Sequence, residues 1–476
     1  MRTLDDLPDE ILVNIIERID GIQDFAALSA QCRRLYRIVD MPVRRRYHRI
    51  RYSSEQHALA YTLLIEILKN PRLGRYVREL EINTSLDLRY YRRRNQEPAA
   101  NQKLLYSAME AAGVDLSKLD EYHCKGLEGM LCITLCPNIR SLRIREHPYP
   151  PAEMILTRAN AKGATSGYLQ NLKEVQILCD YEQGNFRDSY YNDFDFAKMI
   201  KFFHRLPSIQ TVRVGGIHVD EEPTTILLPK KSNVSRIIME NSVTFPNILE
   251  QIIRHPKALE VFQYTIGGRH NIDSEFAPSI PAQLGRALQY QKSTLRVLDL
   301  DTDTELIWPD AFGRWFLQQS YADFTNVEDD SDLDDEDNVE DFTSPPLKVD
   351  PSIGSFHDFT SLTHLSIGIT LLTGRVVSMH RPGGNYPPPP IRLVDSLPPS
   401  LEFLCIRGYR EGEDAYLTSM VSELMERRAE RFPRLKEVQG VSEYVENGSS
   451  LNLGSEPQSV YEEPEIWRPS SDWQVV

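Results

Sequence analysis

The chain has 476 residues, a hydrophobic fraction of 41% and a formal net charge of −15. That length exceeds what one simple core supports and predicts two or three units, or one elongated array. The negative charge argues against a general nucleic-acid-binding protein, which normally carries a basic surface. Much of this charge is local, because residues 328–341 contain 10 Asp and Glu and no Lys or Arg.

The scattered cysteines and the acidic N-terminus indicate the cellular compartment. Six cysteines occur without a C-x-x-C pair, which suits a reducing compartment. The start MRTLDDLPDE is acidic where a signal peptide is basic and then apolar, and no run approaches the ~18–20 apolar residues of a membrane span. We therefore expect a cytoplasmic or nuclear location and no membrane partner.

The first predicted element is an amphipathic helix in LPDEILVNIIERI, residues 7–19. Pro8 suits the first helical position, where its missing N–H is no loss, and Asp9 and Glu10 complement the positive end of the helix dipole. Five apolar residues then recur on one continuous face. They are Ile11, Leu12, Ile15, Ile16 and Ile19.

Two further helices are predicted before residue 52. IQDFAALSAQCRRLYRIV predicts a helix over 22–39, and Met41-Pro42 is expected to end it before an arginine-rich helix in VRRRYHRIRY. Three short helices keep too little interior to cover two wide apolar faces by themselves. An apolar face left exposed here is a candidate partner site. The alternative is that these apolar residues only hold a local bundle together.

The segment LPDEILVNIIERIDGIQDFAALSAQCRRLYRIV resembles an F-box, through its Leu-Pro-x-Glu-Ile-Leu opening, its apolar helix and its Cys-Arg-Arg-Leu ending. The resemblance covers roughly residues 4–50. In that family this face binds the Skp adaptor of cullin–RING ubiquitin ligases. The resemblance implies that the adaptor-binding residues are Leu7, Pro8, Glu10, Ile11, Leu12, Ile15, Leu28 and Cys32. Many family members have Val at Gln31 and Trp at Leu35, so these two departures imply weaker adaptor binding.

From about residue 75 onward a six-residue pattern recurs, with apolar residues at its first, fourth and sixth positions. The copies are Val77/Leu80/Ile82, Ile139/Leu142/Ile144, Leu172/Val175/Ile177, Ile209/Val212/Val214, Val234/Ile237/Met239, Leu259/Phe262/Tyr264, Leu295/Leu298/Leu300, Leu362/Leu365/Ile367, Leu401/Leu404/Ile406 and the weaker Leu435/Val438. Any one copy arises easily by chance. Several, however, follow a helical stretch and a Pro-containing turn, and this order predicts repeated helix, turn and short strand.

That order is typical of a solenoid. It resembles irregular leucine-rich repeats, which implies parallel strands on a concave side and helices on a convex side. The predicted fold class is α/β, with a three-helix F-box at 1–50 and a leucine-rich-repeat-like solenoid at 51–445. A compact α/β domain is the alternative, although no dinucleotide-binding glycine motif supports it.

Strand residues that flank the inward apolar positions are expected on the concave face. We expect eight of them to bind a partner protein: Arg143, Arg145, Gln176, Arg213, Gln263, Asp299, Asp301 and Arg407. This face is predicted to be basic toward its first third and acidic around Asp299 and Asp301. The alternative is that these side chains are simply solvated.

The remaining segments carry no predicted chemistry. The acidic insertion at 325–346 and the tail at 446–476 are predicted to be disordered. The acidic run lacks a calcium-loop register, and Cys124, Cys132 and Cys136 lack a usual zinc spacing. Because no nucleophile motif, phosphate loop or H-E-x-x-H occurs, we expect no metal, no cofactor and no catalytic residue.

The F-box resemblance implies the substrate-recognition subunit of a Skp–cullin–F-box ubiquitin ligase. Such a subunit is not an enzyme, binds the adaptor and an unknown protein substrate, and binds no nucleic acid. Two alternatives stay open: an F-box scaffold without ubiquitin ligase output, and an enzyme of unrecognised fold. An enzyme predicts a deep pocket lined by titratable groups with perturbed pKa values.

Overall fold

A computed structural model describes residues 4, 7–19, 22–52, 56–82, 98–114, 127–145, 150–161, 168–178, 191–219, 225–266, 281–302, 352–374 and 392–447. The chain divides into two compact units. The first contains Met1–Asp180, Asp195–Gly215 and Lys231–Ile237, and the second contains Tyr181–Phe194, Gly216–Lys230 and Ile238–Val476. The predicted acidic insertion and all but residues 446 and 447 of the predicted tail lie outside the described residues. The domain boundaries at 50 and 445 stay predictions.

Four short helices open the first unit: α1 (Asp9–Ile16), α2 (Ile22–Ser29), α3 (Arg33–Val39) and α4 (Met41–Tyr47). The single helix expected over 22–39 is divided, because Cys32 is extended and its Sγ accepts a hydrogen bond from Leu35 N at 3.4 Å. The helical stretch ends directly before Met41-Pro42, as expected, because α3 ends at Val39 and Asp40 is left-handed. Pro42 lies in the first turn of α4, where a missing N–H costs nothing. The predicted third helix ends at Tyr47, and the chain continues as a strand.

Parallel strands and helices make up the rest of the first unit. The strands are β1 (Arg49–Tyr52), β2 (Glu79–Ile82), β3 (Ser141–Arg145), β4 (Glu174–Leu178) and β6 (Thr211–Gly215), which pair in that order. The helices are α5 (His57–Lys69), α6 (Ala99–Ala111), α7 (Leu127–Leu135), α8 (Pro150–Asn160) and α9 (Phe196–Phe203), with a 3-10 turn at Pro71–Tyr76. The residues of β8 (Arg236–Glu240) are divided between the two units.

The second unit has the same kind of organisation. Its parallel strands pair in the order β10 (Val261–Thr265), β11 (Val297–Asp301), β12 (His364–Gly368), β13 (Phe403–Arg407) and β14 (Glu437–Gln439). A small parallel sheet contains β5 (Asn192–Asp193), β7 (Ile217–Val219) and β9 (Val243–Thr244). The helices are α10 (Pro246–Arg254), α11 (Pro281–Gln289), α12 (Ile369–Thr373), α13 (Leu393–Ser396), α14 (Ala415–Glu426) and α15 (Arg428–Arg431).

A repeated backbone arrangement sets the register between successive strands. The carbonyl of the residue before one strand accepts hydrogen bonds from two consecutive N–H groups of the next. In the first unit Arg78 O accepts from Arg140 N at 2.8 Å and from Ser141 N at 3.1 Å. The same pairing recurs at Arg140 O, Lys173 O, Gln210 O, Glu260 O, Arg296 O, Thr363 O and Glu402 O. Each turn thereby satisfies backbone donors that would otherwise be buried without a partner.

The apolar six-residue pattern marks strands correctly. All ten copies lie on or directly before a described parallel strand, and every apolar position of the nine complete copies is buried. The prediction of a mixed α/β fold with a large parallel sheet is therefore confirmed, while the concave and convex curvature of a leucine-rich repeat stays a prediction. Strands β1, β5, β7 and β9 were not predicted.

No helix within the described ranges is both long and apolar enough to span a membrane.

Candidate functional site

Four apolar residues of α1 lie on two adjacent stripes rather than on one continuous face. Leu12 and Ile16 are each 1% exposed, whereas Ile11 is 44% and Ile15 37% exposed. Successive residues of a helix are about 100° apart, so Ile11 and Ile15 lie on one stripe and Leu12 and Ile16 on the next. The helix therefore has one stripe for the interior and one that faces solvent.

The buried stripe of α1 packs on the helices that follow it. Ile16, Phe25 and Val39 form an apolar cluster, and the half-buried Leu28 packs against it. Leu12 and Leu28 were both predicted to contact the adaptor or to support its binding site. Because they lie in or against the interior of the helical region, they have the supporting role. Ile11 and Ile15 are the aliphatic members of the predicted set that are exposed.

Polar contacts hold the start of α1 against α3. Arg34 Nη2 donates to Asp9 Oδ1 at 2.6 Å and to the carbonyl oxygen of Leu7 at 2.6 Å. Pro8 and Glu10 are exposed, while Leu7 and Cys32 are half-buried. The eight predicted adaptor-binding residues thus lie on α1, the residues before it, α2 and the start of α3.

Three more large apolar side chains are exposed among the described residues of 4–50. Leu4 is 47% exposed, Val13 on α1 is 39% exposed and Tyr36 on α3 is 53% exposed. Several large apolar side chains left in solvent within one small helical region are typical of an interaction site. Tyr36 was missed at the sequence level, because its position is not part of the apolar periodicity of the second predicted helix.

Arg44 connects the helices to the 3-10 turn at Pro71–Tyr76. Its guanidinium carbon lies 4.6 Å from the ring centroid of Phe25 and 5.1 Å from that of Tyr76. Its Nε donates to the carbonyl oxygen of Val39 at 2.5 Å, and Tyr76 donates to Asp40 Oδ2 at 3.2 Å. Burial lowers the pKa of Arg44. The buried cation joins α2 and α4 to the chain that follows them.

Comparison with known families identifies this helical region. Residues 4–50 match the F-box-like family model. The chain contains an F-box-like domain. The match begins at the exposed Leu4, includes all of α1 to α4 and ends at Ile50 in β1. No curated protein and no solved structure matches the chain.

Beyond the F-box-like domain, a polar row crosses the sheet of the first unit. Successive strands align Arg51 with Glu81, Glu81 with Arg143, Arg143 with Gln176, and Gln176 with Arg213. We call these five residues the arginine row. The sequence predicted Arg143, Gln176 and Arg213 as neighbours on one face, and the register brings them together.

The first part of the arginine row was missed because β1 was predicted as a helix. Tyr47, Ile50 and Tyr52 follow the same apolar spacing as the predicted strands. Extending the search for this pattern upstream of residue 75 would have predicted β1. Its outward residues Arg49 and Arg51 would then have joined the predicted face.

Glu81 is the centre of an ion cluster in this row. Its Oε2 lies 3.3 Å from Arg49 Nη2, 3.4 Å from Arg51 Nε and 3.6 Å from Arg143 Nη1. The three arginine side chains are each 34% exposed and Glu81 only 10%. Glu79 Oε2 also lies 3.5 Å from Arg49 Nε. Two carboxylates thus face three guanidiniums, and these five side chains together carry +1. Arg145, at the end of β3, is half-buried.

The predicted residues of the second unit are arranged differently. Gln263 is half-buried on β10, but Asp299, Asp301 and Arg407 are buried. Arg407 Nη2 lies 3.0 Å from Asp299 Oδ1 and Nη1 lies 3.1 Å from Asp301 Oδ2, while Nε donates to Ser366 Oγ at 2.9 Å. The expectation of an exposed acidic region is therefore corrected, because these charges pair with one another inside the protein.

The ionisation of Arg407 shows how this cluster is stabilised. Burial opposes the charge, but Asp299 and Asp301 outweigh it and hold the pKa of Arg407 above its ordinary value. The arginine is therefore fully charged, and it pairs with one oxygen of each of two carboxylates that would be costly to bury alone.

The described residues include buried cysteines but no metal-binding cluster. Among them, no group of three or more His, Cys, Asp and Glu residues is arranged to hold a metal ion. Cys132 and Cys136 are buried, and the Tyr52 hydroxyl lies 3.4 Å from Cys132 Sγ. The hydrogen bond with Cys132, together with burial, raises the pKa of the Cys136 thiol well above its ordinary value. A thiol of this kind stays protonated and is a poor nucleophile. Cys124 lies outside the described residues.

Proposed function

We propose that this chain is the substrate-recognition subunit of a Skp–cullin–F-box ubiquitin ligase. F-box domains bind Skp-type adaptors of such ligases, and proteins that carry them are generally non-catalytic adaptors. The observation that carries the proposal is the solvent-facing pair Ile11 and Ile15 on α1 of the F-box-like domain. The adaptor is proposed to cover this pair.

The proposed mechanism is positioning rather than bond chemistry. A receptor that holds a target close to a charged ubiquitin-conjugating enzyme raises the effective concentration of the reacting groups. Ile11 and Ile15 each have under half of their surface exposed. Covering both contributes about 1–2 kcal/mol to adaptor binding. The other predicted positions around α1 supply the rest of the interface.

Replacing both isoleucines by aspartate, as Ile11→Asp/Ile15→Asp, is expected to weaken binding to a purified Skp-type adaptor by at least about 100-fold. The reason is that two charges would have to be desolvated in an apolar interface. Both positions face solvent in the free chain, so the cost to folding should be within about 0.5 kcal/mol per site. Isothermal titration calorimetry with the full-length chain measures the affinity.

Val13→Asp is the matched control on the same helix. Val13 is 39% exposed, and it lies about 180° around α1 from the midpoint of Ile11 and Ile15. We expect Val13→Asp to keep adaptor affinity within about twofold of the parent chain. Equal losses in the two variants, or no loss in either, would contradict the proposed docking stripe.

Co-purification then tests the ligase assignment. We expect the adaptor complex to contain a cullin and a RING subunit and to support ubiquitin transfer. An adaptor complex that lacks both would instead favour the scaffold alternative.

A further inference from the structure

The segments that lead directly into five strands beginning in the first unit share one kind of charge. They are residues 69–78 before β2, 136–140 before β3, 168–173 before β4, 204–210 before β6 and 231–235 before β8. Together they contain eight Lys and Arg and no Asp or Glu, although the whole chain carries −15. We call these five segments the basic edge. Its cations are Lys69, Arg72, Arg75, Arg78, Arg140, Lys173, Arg205 and Lys231.

Backbone hydrogen bonds place the segments of the basic edge side by side. Arg78 O accepts from Arg140 N at 2.8 Å, and Arg140 O accepts from Lys173 N at 2.8 Å. The same contact continues from Gln210 N to Lys173 O at 2.8 Å and from Ser235 N to Gln210 O at 2.9 Å. The basic edge is therefore one continuous surface along the starts of successive strands, although its segments are far apart in the chain.

Asparagine side chains fix the turns of the basic edge. Asn138 Nδ2 donates to the carbonyl oxygen of Arg75 at 2.9 Å, and Asn233 Nδ2 donates to that of Arg205 at 3.1 Å. Each contact joins one segment of the edge to the next. Cations on turns that are held in this way are already in place when a ligand arrives, so binding costs less conformational entropy.

Most cations of the basic edge are free to meet a ligand. Five of them are exposed and have no ion-pair partner among the described residues. These five are Lys69, Arg72, Arg75, Arg205 and Lys231. The arginine row differs, because Glu81 lies within 3.6 Å of both Arg51 and Arg143. The basic edge, rather than the arginine row, therefore carries charge that the structure leaves unpaired.

The segments that lead into the strands of the second unit are not uniformly basic. They include Glu260 before β10, Asp358 before β12 and Glu402 before β13. Glu402 Oε2 also lies 2.7 Å from Nζ of Lys436, which comes directly before β14. Charges of opposite sign thus occur together at these turns. A run of cations alone is a particular feature of the basic edge and not a general property of such turns.

The basic edge begins beside the F-box-like domain and continues beyond it. Arg140 Nη2 donates to the carbonyl oxygen of Glu17, at the end of α1, at 2.9 Å. The segments before β4, β6 and β8 follow along the sheet. Since the adaptor is proposed to cover Ile11 and Ile15, the basic edge is available to a second protein.

We infer that the basic edge binds an acidic segment of the target protein, rich in Asp and Glu. The inference rests on the proposed receptor function for the existence of a target. Arg and Lys form charge-assisted hydrogen bonds with carboxylates, and these bonds are stronger than those between neutral groups. A single exposed ion pair contributes little, so a stable complex needs several cations at once. Successive turns of the edge supply them.

A nucleic acid is a poorer ligand for this surface. Its evenly spaced phosphates would extend past the basic edge, over the surface of a chain that carries −15. An acidic segment of a protein places its carboxylates on the edge alone and continues with neutral residues. Charge complementarity therefore favours a protein ligand.

Two fluorescein-labelled peptides test the inference on the full-length chain at low ionic strength. The first consists of five Glu-Ser repeats with an amidated C-terminus, and the second has glutamine in place of glutamate. We expect the acidic peptide to bind at least about tenfold more tightly than the glutamine peptide, by fluorescence anisotropy. Added salt should weaken its binding, because the cations of the edge are exposed.

Arg75→Gln/Arg205→Gln tests the residues of the basic edge. We expect it to weaken binding of the acidic peptide about fivefold. Arg33→Gln/Arg286→Gln is the matched control, because it removes the same charge at two exposed arginines outside the edge. The control should bind the peptide within about twofold of the parent chain. Circular dichroism on both variants establishes that they are folded.

Cross-linking locates the bound peptide without any substitution. A carbodiimide joins a carboxylate to the amine of a lysine that it contacts, with loss of water, and mass spectrometry then identifies the lysine. We expect the acidic peptide to be attached at Lys173 and Lys231, which are exposed on the basic edge. Lys103 on α6 is the internal control, because it is exposed and lies outside the edge.

Several results would overturn the inference. One is equal binding of the acidic and glutamine peptides by the parent chain. Another is equal weakening by the two arginine pairs, and a third is attachment at Lys103 as frequent as at Lys173 and Lys231. Tighter binding of an oligothymidylate than of the acidic peptide would indicate nucleic-acid binding instead. None of these measurements contains the adaptor. Failure here is therefore distinguishable from failure of adaptor binding by Ile11 and Ile15.

Discussion

Replacing Arg407 by leucine is expected to lower the free energy of unfolding of the second unit by about 3–5 kcal/mol. The side chain is 1% exposed and lies 3.0 Å from Asp299 and 3.1 Å from Asp301. Arg407→Leu would leave these two carboxylates close together and buried without their cation. Removing one partner of a buried ion pair is costly because the remaining charge keeps its full desolvation penalty.

Arg431→Leu is the control for this substitution. Arg431 also pairs with an aspartate, Asp395 at 2.9 Å, but its side chain is 40% exposed. Exposed ion pairs contribute about 0–1 kcal/mol, so this variant should unfold at nearly the urea concentration of the parent chain. Urea unfolding followed by circular dichroism measures both variants. Similar midpoints for Arg407→Leu and Arg431→Leu would contradict the structural role of the cluster.

A double replacement of the carboxylates separates charge from packing. Adding Asp299→Asn and Asp301→Asn to Arg407→Leu should recover part of the lost stability, because the buried charges are then gone.

The same cluster shows where sequence reasoning was insufficient. Apolar spacing predicted strands β11 and β13, and alternation placed Asp299, Asp301 and Arg407 on the polar face of the sheet. Arg407 and Asp301 are 106 residues apart in the chain. Which charges meet across strands depends on register and on what covers that face, and neither follows from local periodicity.

In the F-box-like domain, sequence reasoning predicted more of the structure. Local signals located α1 and its apolar residues, and the family resemblance assigned a partner to them. They did not separate the buried Leu12 and Ile16 from the exposed Ile11 and Ile15, because that division depends on where α2 and α3 pack. The break at Cys32 was also missed, since an extended cysteine whose thiol caps the next helix has no strong compositional signal.

The second large effect is expected at Arg44, where Arg44→Met should lower the free energy of unfolding by about 2–4 kcal/mol. Methionine keeps much of the apolar volume but loses two cation–π contacts, with Phe25 and Tyr76, and the hydrogen bond to Val39. Arg45→Met is the matched control, because Arg45 is the next residue of α4 and is exposed. Urea unfolding compares the two variants, and equal midpoints would show that the buried cation is dispensable.

We expect Arg44→Met to affect ubiquitin transfer and adaptor binding differently. The exposed stripe of α1 and the strands β1 to β4 belong to the same compact unit. Arg44 holds α2 and α4 to the 3-10 turn at Pro71–Tyr76, which lies between β1 and β2 in the chain. Loosening this contact should leave adaptor affinity within about twofold, because the residues of the stripe are unchanged. It should lower ubiquitin transfer to a bound target, because transfer depends on a fixed distance between the adaptor and the target.

Amide hydrogen exchange should show faster exchange in α2 and α4 of Arg44→Met but not of Arg45→Met. Unchanged transfer despite faster exchange would mean that the position of the target does not depend on this contact.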